Sequence, residues 1–438
     1  MKSLARLLTL CAISLLATTI LVAQNTPQQA KSFVELLKSK QYKEAMKWFA
    51  PNIAKLVTEE KLKLTMQSIE QQNGAMKSVG NDISTADRDT MTVYSVPVEY
   101  EKGSVVYRVT LLPSGKVAGF FLDKPKEKIE QALVNNAFVN EQLIAITNGS
   151  FTLTGIYTRP VGKANFPVVV LVHGSGPHDK NETVGPNKPF KDIAIGLAEH
   201  GVATIRYDKR TFMYANDAST DTNGITIYDE TINDAIVALQ FAKTMQGVDS
   251  NNIYLCGHSL GGMCAPYIAS KAKGLAGVII LAGSPRPLED IILDQMKFML
   301  GTDAESKKQL AAIEKKVKNV KSNTLTAKTP ADVLPLSVPG NYWLSLREMM
   351  NPKYGENIPA TVRIFIAQGE RDYQVTTTDY KAWDTYWGER KNITKKLYPT
   401  LNHLLMEGKG KSTPDEYQTQ GHVSELIIDD IATFMKNK

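Results

Sequence analysis

Apolar residues in this chain repeat with two different periods, and the place where the period changes divides it. From about Thr26, Ala30, Phe33, Leu36 and Leu37 recur at helical spacing, and Tyr42, Ala45, Met46 and Phe49 repeat it. Then Met91 to Val98, Ser104 to Leu111 and Lys116 to Leu122 alternate apolar with polar residues, and Ser114-Gly115 marks a hairpin turn between the last two. This predicts a small α+β domain over residues 26–123. A charged, polar linker follows at 124–137.

Beyond it, Leu143 to Ile146 and Phe151 to Tyr157 read as an opening hairpin. Continuous apolar strands come next at Pro167 to Val172, Ala203 to Tyr207, Ile253 to Cys256, Gly277 to Ala282 and Val362 to Ala367. They are separated by helical stretches such as Phe190 to His200 and Ile232 to Met245. Apolar strands buried on both faces and alternating with helices predict an open, mostly parallel α/β sheet over 138–438, with ligands bound beyond the carboxyl ends of the strands. Nearly eighty residues, mostly helical, separate the fourth strand from the fifth. That is too long for a connection, and it predicts a cap inserted at about 285–360. Met296, Phe298, Met299, Tyr342, Trp343 and Leu346 are candidates either to line an apolar acyl pocket or to pack the cap onto the core. The basic run Lys307 to Lys321 reads as a solvated face.

The chain has 438 residues, 43% hydrophobic and 22% charged, which is a globular composition. Met1 to Ala23 places Lys2 and Arg6 ahead of the apolar run Leu7 to Ala23, without an acidic residue. This is the layout of a secretory signal cleaved after Ala23, so export to the periplasm or medium is expected. An uncleaved membrane anchor is the alternative, since the run is at the short end of the ~17 to 25 residues that span a bilayer. Loss of Lys2 and Arg6 takes the formal charge from +6 to +4. No dense basic patch with interleaved aromatics appears, which argues against a nucleic-acid partner. Cys256 and Cys264 then remain, read as two buried thiols; no Cys and His spacing suggests zinc.

The candidate chemistry centres on Ile253 to Gly262, where an apolar strand breaks into Gly-His-Ser-Leu-Gly around Ser259. A serine on a sharp strand-to-helix turn projects its hydroxyl above the sheet, with glycines two residues either side because a Cβ would collide there. The following helix points Leu260 N–H at developing negative charge. The serine needs a base, and the base a carboxylate. Of the six histidines, His173, His178, His200 and His258 precede or adjoin Ser259, and His258 would point away from its side chain. His403, after the strand-like Ile393 to Leu397, is preferred as base over His422, which opens the last helix, Val423 to Met435. Asp372, in Gln-Gly-Glu-Arg-Asp after the fifth strand, is preferred as acid over Glu370. The His173-Gly174-Ser175-Gly176 turn after the first parallel strand is the place for a second oxyanion donor, Ser175 N–H, with Gly174 next. Its spacing lacks the Lys and Ser or Thr of a phosphate loop.

From about Phe138 onward the chain resembles α/β-hydrolases of the esterase and serine-aminopeptidase-like branch. The resemblance rests on HGSGP at His173 to Pro177, RYDKR at Arg206 to Arg210, GHSLGG at Gly257 to Gly262, QGERDYQV at Gln368 to Val375 and YPTLNH at Tyr398 to His403. It implies a Ser259, Asp372 and His403 triad with Ser175 and Leu260 as oxyanion donors, no metal or organic cofactor, and hydrolysis of a small-molecule ester, or alternatively an amide. Where many relatives continue Asp-Lys-Arg with glycine and a small residue, Thr211-Phe212-Met213 stands here, which implies larger side chains near the mouth of the site. The amino-terminal region resembles the cone-shaped α+β domains of the nuclear-transport-factor type, on its pattern and on Gly119-Phe120-Phe121. The region itself, which holds no histidine, reads as a binding or dimerising module, with a homodimer as one alternative. A non-catalytic binding protein on the same scaffold is the third reading.

Overall fold

The structure, a computed structural model, describes residues 26–54, 57–88, 91–123, 133–162, 164–214 and 224–437. The segment read as a secretory signal lies outside the described residues, as does 124–132 of the linker. The chain divides between residues 129 and 130 into two compact units.

In the amino-terminal unit, α1 (Pro27–Lys38), α2 (Tyr42–Met46), α3 (Pro51–Ala54) and α4 (Glu59–Asn73) precede an antiparallel sheet. Its strands are β1 (Met76–Val79), β2 (Ser84–Arg88), β3 (Met91–Tyr100), β4 (Gly103–Leu111) and β5 (Val117–Asp123). Helix α1 starts where Thr26 and Gln29 cap each other reciprocally and Pro27 supplies a preset first turn. It buries Ala30, Phe33, Val34 and Leu37 against the inward positions of β3 and β4. The hairpin turn forms at Gly115 (φ 75°), whose N–H donates to Leu112 O at 2.8 Å. Helix α4, which the periodicity did not signal, is mostly polar and turns only Leu62 and Met66 fully inward.

The carboxy-terminal unit opens with the hairpin β6 (Val139–Asn148) and β7 (Phe151–Pro160). Then follow β8 (Phe166–Val172), α5 (Pro189–Glu199), β9 (Ala203–Tyr207), α6 (Arg210–Met213), a π-turn at Tyr228–Ile232 running into α7 (Asn233–Ala242), β10 (Val248–His258), α8 (Leu260–Lys271) and β11 (Leu275–Leu281). The cap contributes α9 (Leu288–Met299), α10 (Ala304–Lys321), α11 (Gly340–Met349) and α12 (Lys353–Glu356). The chain closes with β12 (Arg363–Gly369), α13 (Thr377–Trp387), β13 (Ile393–Tyr398) and α14 (Glu425–Lys436).

These eight strands form one sheet in the order β13-β12-β11-β10-β8-β9-β7-β6. The six from β13 to β9 are parallel, and β7 and β6 complete the edge antiparallel. Alternation along each parallel strand feeds two cores. Val168, Val170, Leu255, Ile280 and Ile366 face α7, α8 and the cap, whereas Val169, Leu171, Tyr254, Ile279 and Phe365 face α5 and α14. Helices on both sides are what allow every β9 residue to be buried. This is the α/β-hydrolase architecture with a helical cap. Cys256 and Cys264 are buried free thiols.

Candidate active site

Four loops leave the carboxyl ends of β8, β10, β12 and β13, and each carries one part of the site. At the end of β10 the backbone turns at Ser259 with φ 52° and ψ −115°, a conformation disfavoured for any residue with a Cβ. Tertiary packing imposes it: Ser259 N–H donates to Leu281 O at 2.9 Å, and α8 begins at the next residue. The flanking glycines are steric requirements. A Cβ on Gly257 would sit 2.2 Å from Gly261 O, and one on Gly261 would sit 2.2 Å from Val172 O.

The loop after β13 delivers His403, and Asn402 shapes it by accepting the N–H groups of Leu404 and Met406 at 3.0 Å each. The loop after β12 delivers Asp372, which is fully buried and accepts four hydrogen bonds. One carboxylate oxygen takes Gln374 N–H at 2.7 Å and Val375 N–H at 3.0 Å; the other takes Gln368 Nε2 at 3.0 Å and His403 Nδ1 at 2.7 Å. An ionised carboxylate only accepts, so His403 carries its proton on Nδ1 and presents the Nε2 lone pair. Ser259 Oγ lies 3.1 Å from that Nε2 and can donate to it.

Opposite them runs the turn after β8. Gly174 N–H donates to Glu182, Gly176 N–H donates to Glu230 at 3.0 Å, and Ser175 O accepts from His178 Nε2 at 2.8 Å. Ser175 N–H is left without a partner among the described residues, as is Leu260 N–H, which as the first residue of α8 has no intrahelical acceptor. Ser175, Ser259 and Leu260 line one cleft with Met263, Ser284, Leu288, Ile291, Ile292, Gln295, Leu336, Gln374 and Val375. About 520 Å³ of space lies within it, part of it open to solvent.

The other candidates fall elsewhere. His422 is exposed and pairs with Asp192 at 3.2 Å, and Glu370 points to solvent. His200 lies beside Asp429. His173 is buried next to β8, where its Nε2 donates to Asp179 O at 3.0 Å and burial pushes its pKa down to about 3. Of the six apolar cap residues considered for the pocket wall, none lines the cleft. Tyr342, Trp343 and Leu346 are buried in the core, Met296 packs against it, and Phe298 and Met299 are largely exposed. The larger residues after Asp-Lys-Arg also miss the cleft: Met213 Sδ sits 3.3 Å from Thr154 N on β7, and Phe212 faces outward.

Two buried charged pairs beside the site have no signal in residue spacing. Glu182 (φ 52°) lies 2.9 Å from His258 Nδ1, at ion-pair distance without hydrogen-bond alignment, while His258 Nε2 donates to His403 O at 2.9 Å. His258 does point away from the Ser259 hydroxyl, toward the loop that carries the histidine. Burial opposes both charges, but each stabilises the other: the His258 pKa is raised and that of Glu182 is held at about 2. Lys209 and Glu230 form the second pair, 2.7 Å apart. Among the described residues, no cluster of His, Cys, Asp and Glu could hold a metal ion.

Residues 164–410 match the family described as serine aminopeptidase, S33, and residues 30–120 match a family described as protein of unknown function. Esterase EstD of Thermotoga maritima is 35% identical over 416 residues, covering 93% of this chain and 95% of its own length. Among solved structures, Est1E from Butyrivibrio proteoclasticus is 18% identical with a TM-score of 0.44, over 67% of this chain and 97% of its own. An esterase of Pyrobaculum calidifontis is 14% identical with a TM-score of 0.41, over 68% and 85%. With one profile spanning more than half of its length and a relative of this identity spanning nearly all of it, the chain belongs to the serine aminopeptidase S33 family of α/β-hydrolases.

Proposed function

We propose that the protein is a carboxylesterase that cleaves small to medium acyl esters through an acyl-enzyme on Ser259. His403 Nε2 takes the hydroxyl proton as Ser259 Oγ attacks the ester carbonyl; Asp372 holds the imidazole in the required tautomer and stabilises its cation. The N–H groups of Ser175 and Leu260 receive the oxyanion, and His403 returns its proton to the departing alcohol. Water activated by the same histidine then releases the acid. The observation that carries this reading is the unbroken line of hydrogen-bonding groups from Asp372 through His403 to Ser259, opening into a cleft of mixed lining with seven apolar side chains.

The cleft also favours esters over aminoacyl amides. A peptidase acting at a free amino terminus needs an anion for the substrate ammonium, and desolvating that charge unpaired is costly. Among the described residues, none of the side chains lining the cleft is acidic, and Met263, Leu288, Ile291, Ile292, Leu336 and Val375 suit an uncharged acyl chain. The similarity to Esterase EstD supports the same choice. We also propose export, on the strength of the Lys2 and Arg6 layout ahead of Leu7 to Ala23; a mature protein retaining Met1 in the host would exclude cleavage.

Activity is tested with 4-nitrophenyl esters of increasing acyl length against aminoacyl anilides, together with a fluorophosphonate probe. Ester turnover, with labelling that disappears in Ser259→Ala, is the expected result. Folded wild-type protein that neither labels nor hydrolyses any ester would exclude the enzyme reading, and preference for the anilides would make it a peptidase.

A further inference from the structure

Lys209 and Glu230 are almost completely buried, with side chains 3% and 8% exposed, and no step of the proposed reaction uses them. Removing two charges from water is costly, and only close pairing and well-used hydrogen-bonding capacity offset that cost. Here it is spent on the turn that carries Ser175. Lys209 Nζ donates to Glu230 at 2.7 Å and to Gly174 O at 2.8 Å. Glu230 also accepts Gly176 N–H at 3.0 Å and, on its second oxygen, the Tyr342 hydroxyl from cap helix α11. Glu230 itself sits in the π-turn ahead of α7, an irregularity that recurs at functional sites.

The decisive detail is which carbonyl Lys209 holds. Gly174 C=O and Ser175 N–H belong to one peptide unit, and in a trans peptide the two point in opposite directions. A cation fixed on the oxygen side therefore sets the plane of that peptide and sends the N–H the other way. Ser175 lines the cleft, and its N–H lacks a partner among the described residues. The ammonium also draws electron density toward the carbonyl oxygen, which makes the N–H a stronger donor through the same polarisation that makes hydrogen-bond chains cooperative.

We propose that Lys209 is a positioning residue for the oxyanion hole: anchored by Glu230, it orients and polarises the Gly174–Ser175 peptide so that Ser175 N–H meets the oxyanion. This rests on the esterase reading above. Lys209 does not line the cleft and acts through that peptide, so its effect belongs to the transition state, where negative charge has formed, and not to ester binding.

The test compares wild type with the double variant Lys209→Met, Glu230→Gln, which leaves neither buried charge uncompensated, and with Lys209→Arg, which keeps a cation. We read kcat and KM for 4-nitrophenyl butyrate, the Ki of an alkylboronic acid that forms a tetrahedral adduct on Ser259, and the thermal midpoint. The double variant is expected to lose ~10- to 100-fold in kcat, less than the ~10²- to 10³-fold cost of deleting an oxyanion donor outright, with KM within about twofold. The boronic acid Ki should rise in parallel, and Lys209→Arg should recover most of kcat. If the double variant does not fold, Lys209→Gln, which keeps a neutral donor, is judged by the same criteria. A kcat within about twofold of wild type, or a loss that appears in KM or follows the folded fraction alone, overturns the proposal. Wild type that shows neither ester turnover nor labelling would instead remove the esterase reading, so the two failures are distinct.

Discussion

Asp372 accepts four hydrogen bonds, from two backbone amides, Gln368 and His403, and is fully buried. Asparagine in its place would offer one acceptor oxygen and an NH₂ group facing His403 Nδ1, which favours the opposite imidazole tautomer. By analogy with other triads, Asp372→Asn should lower kcat by ~10⁴-fold while KM for short esters stays close to wild type. Single-turnover kinetics checks this, and a loss below about tenfold would remove Asp372 from the triad. Replacing His403 by alanine should be as damaging, whereas His422→Ala, at a side chain 73% exposed, should leave kcat and KM within about twofold. Comparable activity of the two variants would contradict the choice of base.

His173 makes a separate prediction about pH. Burial lowers its pKa to about 3, below the ~6.5 of an unfolded histidine, so between those values the unfolded chain binds the extra proton. Its contribution is fully present above pH ~6.5 and is lost progressively as pH falls toward 3. His258, with its pKa raised by Glu182, has the opposite sign: it contributes below the unfolded value and loses that contribution as pH rises through its own pKa. Urea midpoints measured from pH 7 to pH 4 should therefore fall less steeply in His173→Gln than in wild type, and identical slopes would exclude this account.

At the scale of elements, the β10 to α8 turn tolerates almost no change. Ala at Gly261 would place a methyl 2.2 Å from Val172 O, a backbone atom that cannot move without shifting β8. Gly261→Ala is expected to cost at least ~3 kcal/mol in chemical unfolding, the range of severe steric substitutions, and to abolish ester hydrolysis. A variant of near wild-type stability would show that the turn relaxes. Helix α9 supplies one wall of the cleft: Leu288, Ile291, Ile292 and Gln295, spaced i, i+3, i+4 and i+7, line it as one stripe. Ile292→Phe should shorten the preferred acyl chain, read as a fall in kcat/KM for octanoate relative to acetate esters; an unchanged chain-length profile would place the acyl group elsewhere. Met296 and Met299 continue the same apolar face of this helix, at i+4 and i+7 from Ile292, past the end of the cleft. Periodicity marks that face but not which of its turns meet the cleft.

For the whole molecule, formal charge and site are decoupled. The chain carries +6, yet among the described residues no side chain lining the cleft is charged, and salt screens surface charges beyond ~8–10 Å. For a neutral ester, kcat/KM should change by less than about twofold between roughly 0.05 and 0.5 M salt; a tenfold fall would show that charge steers the substrate.

The two-unit organisation, the sheet and the order of Ser259, Asp372 and His403 are legible because they depend on local chemistry. Strands buried on both faces are apolar at most positions, a nucleophile turn needs small residues two positions either side, and loops at strand ends need glycine and polar residues to turn. What the linear pattern does not contain is contact across long separations. Lys209 meets Gly174, Glu182 meets His258, and Tyr342 meets Glu230 only once the sheet order β9-β8-β10 and the seating of the cap are set. Helix α9 has one apolar face, and packing decided that its first two turns, not Met296 and Met299, meet the cleft. The sequence by itself therefore determined the architecture and the three residues proposed for the chemistry, because secondary-structure period and turn sterics are properties of neighbours in the chain. Only the tertiary structure decided which side chains wall the cleft and which buried charges hold the oxyanion turn, because those follow from how separate elements meet in space.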